Sequence, residues 1–349
     1  MAVTTEAQFK RDLSGGQFDS LYCICGTEKL LVTHYTSKLV EKTAGKNPSD
    51  FNFHTFTDDF NVDDFAVALQ VVPFACEYNV VLIKDLDFAE FSPTDGDRII
   101  ELISSSSEGS IVILSYPTKL DAKPNAKDKK IKELFKKKGT FLELNKLTGQ
   151  ALQKKLVSWA GKRDVALSPQ LASVIVEYSG TDLNTLKNEL SKLCAYVGEG
   201  GEITRENIDR IVTKNLESSI FDLSKSVIAH DSVGAFKILD RLFYQREEPI
   251  SILAVLSSAY VDMYRVRIAV KCGSNSADVA QWFNYKGSPY RLRYAERDSK
   301  KTSTAVLRKS IDAIAKTDIA MKSTRTDSRV QLELLIVKLL MIANEDRRD

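Results

Sequence analysis

Val71–Asp85 reads VVPFACEYNVVLIKD. The stretch from Asn79 to Ile83 is an apolar run of the kind that lies in the middle of a parallel sheet covered on both faces. Just before it, Pro73-Phe74 is an apolar pair on a proline-broken corner. The strand reads as scaffold. The corner, with Val71 and Val72 leading into it, is the candidate contact surface.

Working outward, strands alternate with helices over the first 145 residues. Leu21–Cys25, Phe51–Phe56, Asn79–Lys84, Ser110–Ser115 and Thr140–Leu144 have strand composition. Between them, helices are expected to about Thr43, over Val62–Val71, Asp97–Ser104 and Ala126–Lys138. Thr27 is expected to cap the first of these, with Glu28 suited to its positive end. This alternation predicts an α/β layer with a parallel sheet. From Leu144 to Thr213 the pattern is helical, with Ser168-Pro169 opening one helix and Asp182–Val197 carrying Leu183, Leu186, Leu190 and Leu193 in register. From Leu216 the chain reads as a helical bundle: Ile220–Ala229, Val233–Tyr244, Ile250–Cys272, Ala277–Phe283, Pro289–Asp298, Ser303–Ile319 and Asp327–Asn344. Three domains are expected, at 1–144, 145–213 and 214–349.

Composition excludes several classes. The 349 residues are 43% hydrophobic and 28% charged, as in a soluble globular protein. No run approaches the roughly 18 apolar residues of a membrane span, and the N-terminus lacks a signal-peptide layout. The five cysteines show no C-x-x-C pair, and Cys23 and Cys25 are expected on opposite faces of one strand. Neither a metal site nor a disulfide frame is predicted, and a reducing cytoplasm fits. The net charge of +2 hides a gradient: residues 1–122 hold 9 Lys/Arg against 19 Asp/Glu, and residues 214–349 hold 23 against 17.

A strand–turn–helix at the start of such a sheet is where a nucleotide phosphate would sit. Here the turn reads Gly26-Thr27-Glu28-Lys29-Leu30. The P-loop needs G-x-x-x-x-G-K-[ST]. The second glycine, the Gly-Lys pair and the magnesium hydroxyl are all missing. Glu28 would add a like charge where phosphate belongs, costing about 4 kcal/mol at 4 Å separation and an effective dielectric near 20. The site reads as degenerate, no nucleotide cofactor is expected, and Lys29 reads as a solvated helix lysine.

Two further features carry alternative readings. Ala126–Lys138 places Ile131, Leu134 and Phe135 on one face, with Lys127, Lys129, Lys130, Lys132, Lys136, Lys137 and Lys138 around the rest. It is either a solvated surface helix or a DNA-facing or subunit-facing one. Trp282–Arg297 interleaves aromatics with Lys286, Arg291 and Arg293, a mix that suits a packed core with flanking arginines or stacking on single strands.

Several strings resemble the bacterial DNA polymerase III delta subunit family, a branch of the AAA+-type clamp-loader subunits. YCICGTEKLL resembles its opening signature, and GTDLNTLKNELSKL (Gly180–Leu193) its lid helix. Ile220–Leu253 and Ser288–Leu339 resemble the two ends of its collar. The resemblance covers nearly the whole chain. It implies an AAA+-like parallel-sheet domain without a working P-loop, a small helical lid, and a C-terminal helical collar. Asn184 stands where ATPase relatives carry a phosphate-touching arginine. The implied function is non-catalytic: gripping and opening the ring-shaped sliding clamp in DNA replication. The Pro73-Phe74 corner would enter the clamp, although Leu-Phe is the commoner pair. Implied partners are the clamp, ATPase subunits and a second non-ATPase-type subunit, with primed DNA in the assembled holoenzyme. The rival expectations are a divergent AAA+ ATPase and a DNA-binding regulator on the same scaffold.

Overall fold

In a computed structural model of the chain, residues 4–57, 59–73, 76–106, 109–116, 126–285 and 290–345 are described. Phe74 of the expected corner lies outside them, as do Lys286 and Pro289. The chain divides into two compact units, Met1–Thr148 and Gly149–Asp349.

The first unit opens with α1 (Glu6–Gly15), capped by the Thr5 hydroxyl on Gln8 N, a helix the sequence reading did not anticipate. There follow β1 (Leu21–Cys25), α2 (Lys29–Thr43), β2 (Phe53–Thr57), α3 (Val62–Gln70) and β3 (Asn79–Lys84). A single 3-10 turn at Phe88–Glu90 leads to α4 (Pro93–Ser104), β4 (Ser110–Ser115), α5 (Ala126–Lys138) and β5 (Thr140–Glu143). The α4 helix begins four residues before the expected Asp97, because Ser92 caps it and Pro93 sits in its first turn.

All five strands are parallel, in the order β2-β3-β4-β1-β5. The central register sets Leu82 beside Ile113 and Ile113 beside Tyr22. The β3 and β4 strands are buried apart from Lys84, as their unbroken apolar runs require. One face of the sheet packs Leu21, Val81, Ile83, Val112 and Leu114 against Phe65 of α3, Ile99 and Ile103 of α4, and Ile131 and Phe135 of α5. Phe9 of α1 meets Tyr22 of β1 and Tyr35 of α2 edge-on at 6.1 and 5.7 Å.

Cys23 and Cys25 share that first face with Leu21, within one core cluster. The expectation of opposite faces is corrected by the strand's own period: side chains two apart point the same way. Both thiols are free and buried.

The second unit begins with α6 (Gly149–Gly161), α7 (Pro169–Ser179), α8 (Leu183–Val197) and α9 (Arg205–Ile211). Ser168, Asp182 and Thr204 cap the last three through their side chains. Next come α10 (Leu216–Ile228), α11 (Ser232–Tyr244), α12 (Pro249–Lys271), α13 (Ser276–Trp282), α14 (Tyr290–Ser299), α15 (Thr304–Ser323) and α16 (Ser328–Glu345). Their core is a separate apolar cluster built on Tyr260, Leu256, Leu307, Leu335 and Leu339.

Candidate functional site

Helix α3 ends at Gln70 without a left-handed cap: Val71 already has φ −60 and ψ 123. A proline two residues on cannot continue a helix. The chain therefore leaves α3 as an extended corner. Val72 is 80% exposed, and Val67 on the outer side of α3 is 66% exposed. Val71 and Pro73 are half-buried. The pyrrolidine ring of Pro73 lies over Gly109, 3.6 Å from where a β-carbon would stand.

The corner is mounted from behind by two polar side chains at the N-terminal ends of the inner strands β3 and β4. Asn79, fully buried as the first residue of β3, donates its side-chain amide to the Ala68 carbonyl at 2.8 Å and to Ser110 Oγ at 3.3 Å. Ser110 Oγ donates onward to the Leu69 carbonyl at 3.3 Å. Carbonyls of a helix's last turn have no intrahelical partner. Here two of them are satisfied by the first residues of β3 and β4. Sequence reading placed Asn79 in the strand but missed this role. The signal was present: an amide side chain at the head of an otherwise apolar run must find partners once buried.

Gly26, Glu28 and Lys29 form the turn after β1, against which the backbone of Leu144 packs. A β-carbon on Gly26 would lie 1.9 Å from the Leu144 carbonyl oxygen, and Gly26 has φ 141. Leu144 N donates to the Cys25 carbonyl at 2.7 Å, and Glu28 N donates to the Leu144 carbonyl at 2.9 Å. Thr27 N reaches Asn145 Oδ1 at 3.3 Å, and Lys146 N donates to Thr27 Oγ1 at 3.0 Å. Thr27 is thus a tie to residues 145 and 146 rather than the helix cap. Glu28 occupies the cap position, buried, without a side-chain cap bond. Lys29 is exposed. Asn184 lies exposed in the first turn of α8, in the other unit.

The seven lysines of α5 are not equivalent. Lys127 bonds the Pro93 carbonyl and pairs with Asp97 at 3.2 Å; Lys130 approaches Asp97 at 4.0 Å. Lys132 stands 5.9 Å over the Tyr116 ring and Lys136 stands 4.7 Å over the Phe141 ring. Lys138 reaches the Ser104 carbonyl at 3.5 Å. Lys129 and Lys137 are exposed. Five of the seven thus make a contact within their own unit, while Lys130, Lys136 and Lys138 also remain exposed to solvent. No helix among the described residues is long and apolar enough to cross a membrane, and no group of three metal-ligating side chains occurs among them.

The family model described as DNA polymerase III, delta subunit matches residues 22–145, and that of the delta subunit's C-terminal domain matches residues 217–339. The chain belongs to the DNA polymerase III delta subunit family. Within the delta family, it is 25% identical over 338 residues to DNA polymerase III subunit delta of Bacillus subtilis, covering 95% of each chain. It is 21% identical over 283 residues, 79% of each chain, to a probable DNA polymerase III subunit delta of Aquifex aeolicus. The fold resembles that of the Bacillus subtilis DNA clamp loader delta protein YqeN, with TM-score 0.61 at 23% identity, covering 95% of this chain and 98% of that one.

Proposed function

We propose that this chain is the non-hydrolysing subunit of a replicative clamp loader that grips and opens the sliding clamp. The observation that carries this reading is the corner. Val72 and Val67 expose apolar surface to solvent at the end of α3, at the opposite end of the parallel sheet from the turn after β1, whose Thr27 and Glu28 N–H groups bond residues 145 and 144. Exposed side chains clustered around a rigid mount suit an interface anchor. Pro73 and Phe74 would complete it, with Phe74 entering an apolar pocket on the clamp.

The remaining parts of the reading follow the same logic. Residues 1–144 form an AAA+-like clamp-binding domain without a working P-loop, 145–213 a helical lid, and 214–349 a collar. The outer face of α16 leaves Val330, Leu334, Val337 and Met341 uncovered at alternating four- and three-residue spacing. A helix that is apolar on both sides expects cover on both, which supports assembly with ATPase subunits and a second subunit without ATPase activity. ATP bound by those partners would change the exposure of the corner, and a bound state can shift an equilibrium only through differential affinity. Primed DNA would meet the assembled complex, in the cytoplasm.

The test is a titration of purified clamp with the chain and with Phe74→Ala. At least a tenfold loss of affinity at unchanged thermal stability is expected. Equal affinities would reject the assignment, and equal clamp affinity of the assembly with and without ATP would reject the switch.

A further inference from the structure

The end of α7 is tied to the start of α10, across the boundary at which a lid would meet a collar. Two carbonyls in the last turn of α7 accept donors from the other side. Asn215 N donates to the Tyr178 carbonyl at 2.7 Å, and Ser218 Oγ donates to the Glu177 carbonyl at 2.5 Å. The Asn215 side chain caps α10 by accepting from Ser218 N at 2.8 Å. Helix-end groups left unmet inside protein are costly. Here the C-terminal end of one helix and the N-terminal end of the next satisfy one another.

Side chains reinforce the seam. Tyr294 of α14 donates its hydroxyl to the Glu177 carboxylate, and its ring lies 4.6 Å from that of Phe221. Lys214 stands 4.2 Å over the Tyr178 ring while pairing with Asp222 at 2.6 Å. The Tyr178 hydroxyl in turn donates to Asp209 and accepts from Arg205, each at 2.5 Å. Glu177 and Tyr178 thus face α9, α10 and α14 at once. Gly180, with φ +85, turns the chain beside Asn215: a β-carbon there would stand 3.2 Å from its Nδ2.

We infer that residues 149–213 and 214–345 move as a single rigid lever, latched at Glu177-Tyr178, so that no hinge operates between them. A network whose members are all satisfied rigidifies, and opening it exposes several polar groups together. Displacement of the bundle would then reach α6–α9 undiminished. The inference is independent of which partner moves the bundle.

The experiment uses the full chain in a Cys76→Ser, Cys272→Ser background, the other three cysteines being buried, spin-labelled at Lys187→Cys and Lys225→Cys, with electron–electron distance measurement and deuterium exchange. A single narrow distance is expected, with the Asn215 amide as protected as the core of α10. Ser218→Ala with Tyr294→Phe, each removing one oxygen, should broaden the distance and speed Asn215 exchange at least tenfold. A broad distribution in the unaltered chain would overturn the latch. An unchanged exchange rate in the double variant would overturn its location.

Discussion

Asn79 holds Ala68. A side-chain amide at the head of β3 donates at 2.8 Å to a carbonyl in the last turn of α3, inside the protein. Asn79→Ala leaves that carbonyl unmet and opens a small void. A loss of about 1–3 kcal/mol is expected, read as a lower urea midpoint of the isolated chain. Clamp affinity should fall as well, because the corner beyond Ala68 loses its mount. A variant as stable as the parent would show that the bond contributes nothing.

Val72→Ser should behave in the opposite way. The side chain is exposed, so folding stability should stay within about 0.5 kcal/mol. Clamp binding should weaken severalfold if the valine is covered in the complex. Calorimetric titration of the clamp beside a thermal melt separates the two effects.

Gly26→Ala forces a β-carbon into the Leu144 carbonyl, on a backbone conformation suited to glycine. The clash cannot be relieved by a side-chain rotation, since the neighbour is main chain. A loss of several kcal/mol, or insoluble expression, is expected. Thr27→Ala should be milder, costing about 1 kcal/mol by freeing Lys146 N.

His54 gives a pH signature. Burial holds its imidazole below the ordinary value of 6.5, partly offset by Asp50. The unfolded chain therefore takes up a proton before the folded one does. Stability should be full above pH 6.5 and decline as pH falls below it. His54→Gln should flatten that acid-side decline in urea midpoints taken between pH 7 and 5.5. An unchanged slope would assign the decline to other groups.

The lysines of α5 should divide under mutation. Lys129→Ala and Lys137→Ala remove exposed charge, and each should lower the salt slope of primed-DNA binding by the assembled complex by about 0.9 if it touches phosphate. Lys127→Ala should instead affect the α4–α5 contact, since its ammonium already serves Asp97 and the Pro93 carbonyl. Slopes unchanged from the parent in the Lys129 and Lys137 variants would remove DNA from the account of this helix.

The sheet was readable because its signals are local. Val80–Ile83 and Ile111–Leu114 are unbroken apolar runs, and only burial on both faces explains them. Ser168-Pro169 announced one helix through capping chemistry, and Leu183, Leu186, Leu190 and Leu193 announced the next through their spacing, signals that need only neighbouring residues. What could not be read were relationships across long separations. Thr27 looks like a cap from its neighbours, but its hydroxyl accepts from Lys146 N, 119 positions away. Asn79 looks like a strand residue, and its partner is a carbonyl, which carries no sequence identity. The Asn215–Tyr178 tie is likewise main chain to main chain.

The stretch Leu144–Lys146 lies against the turn after β1. Leu144 N on the Cys25 carbonyl and Glu28 N on the Leu144 carbonyl staple the exit of β1 to the exit of β5 through main chain alone. Two loops joined in this way share one set of motions, so a substitution at residues 144–146 is felt in the first turn of α2.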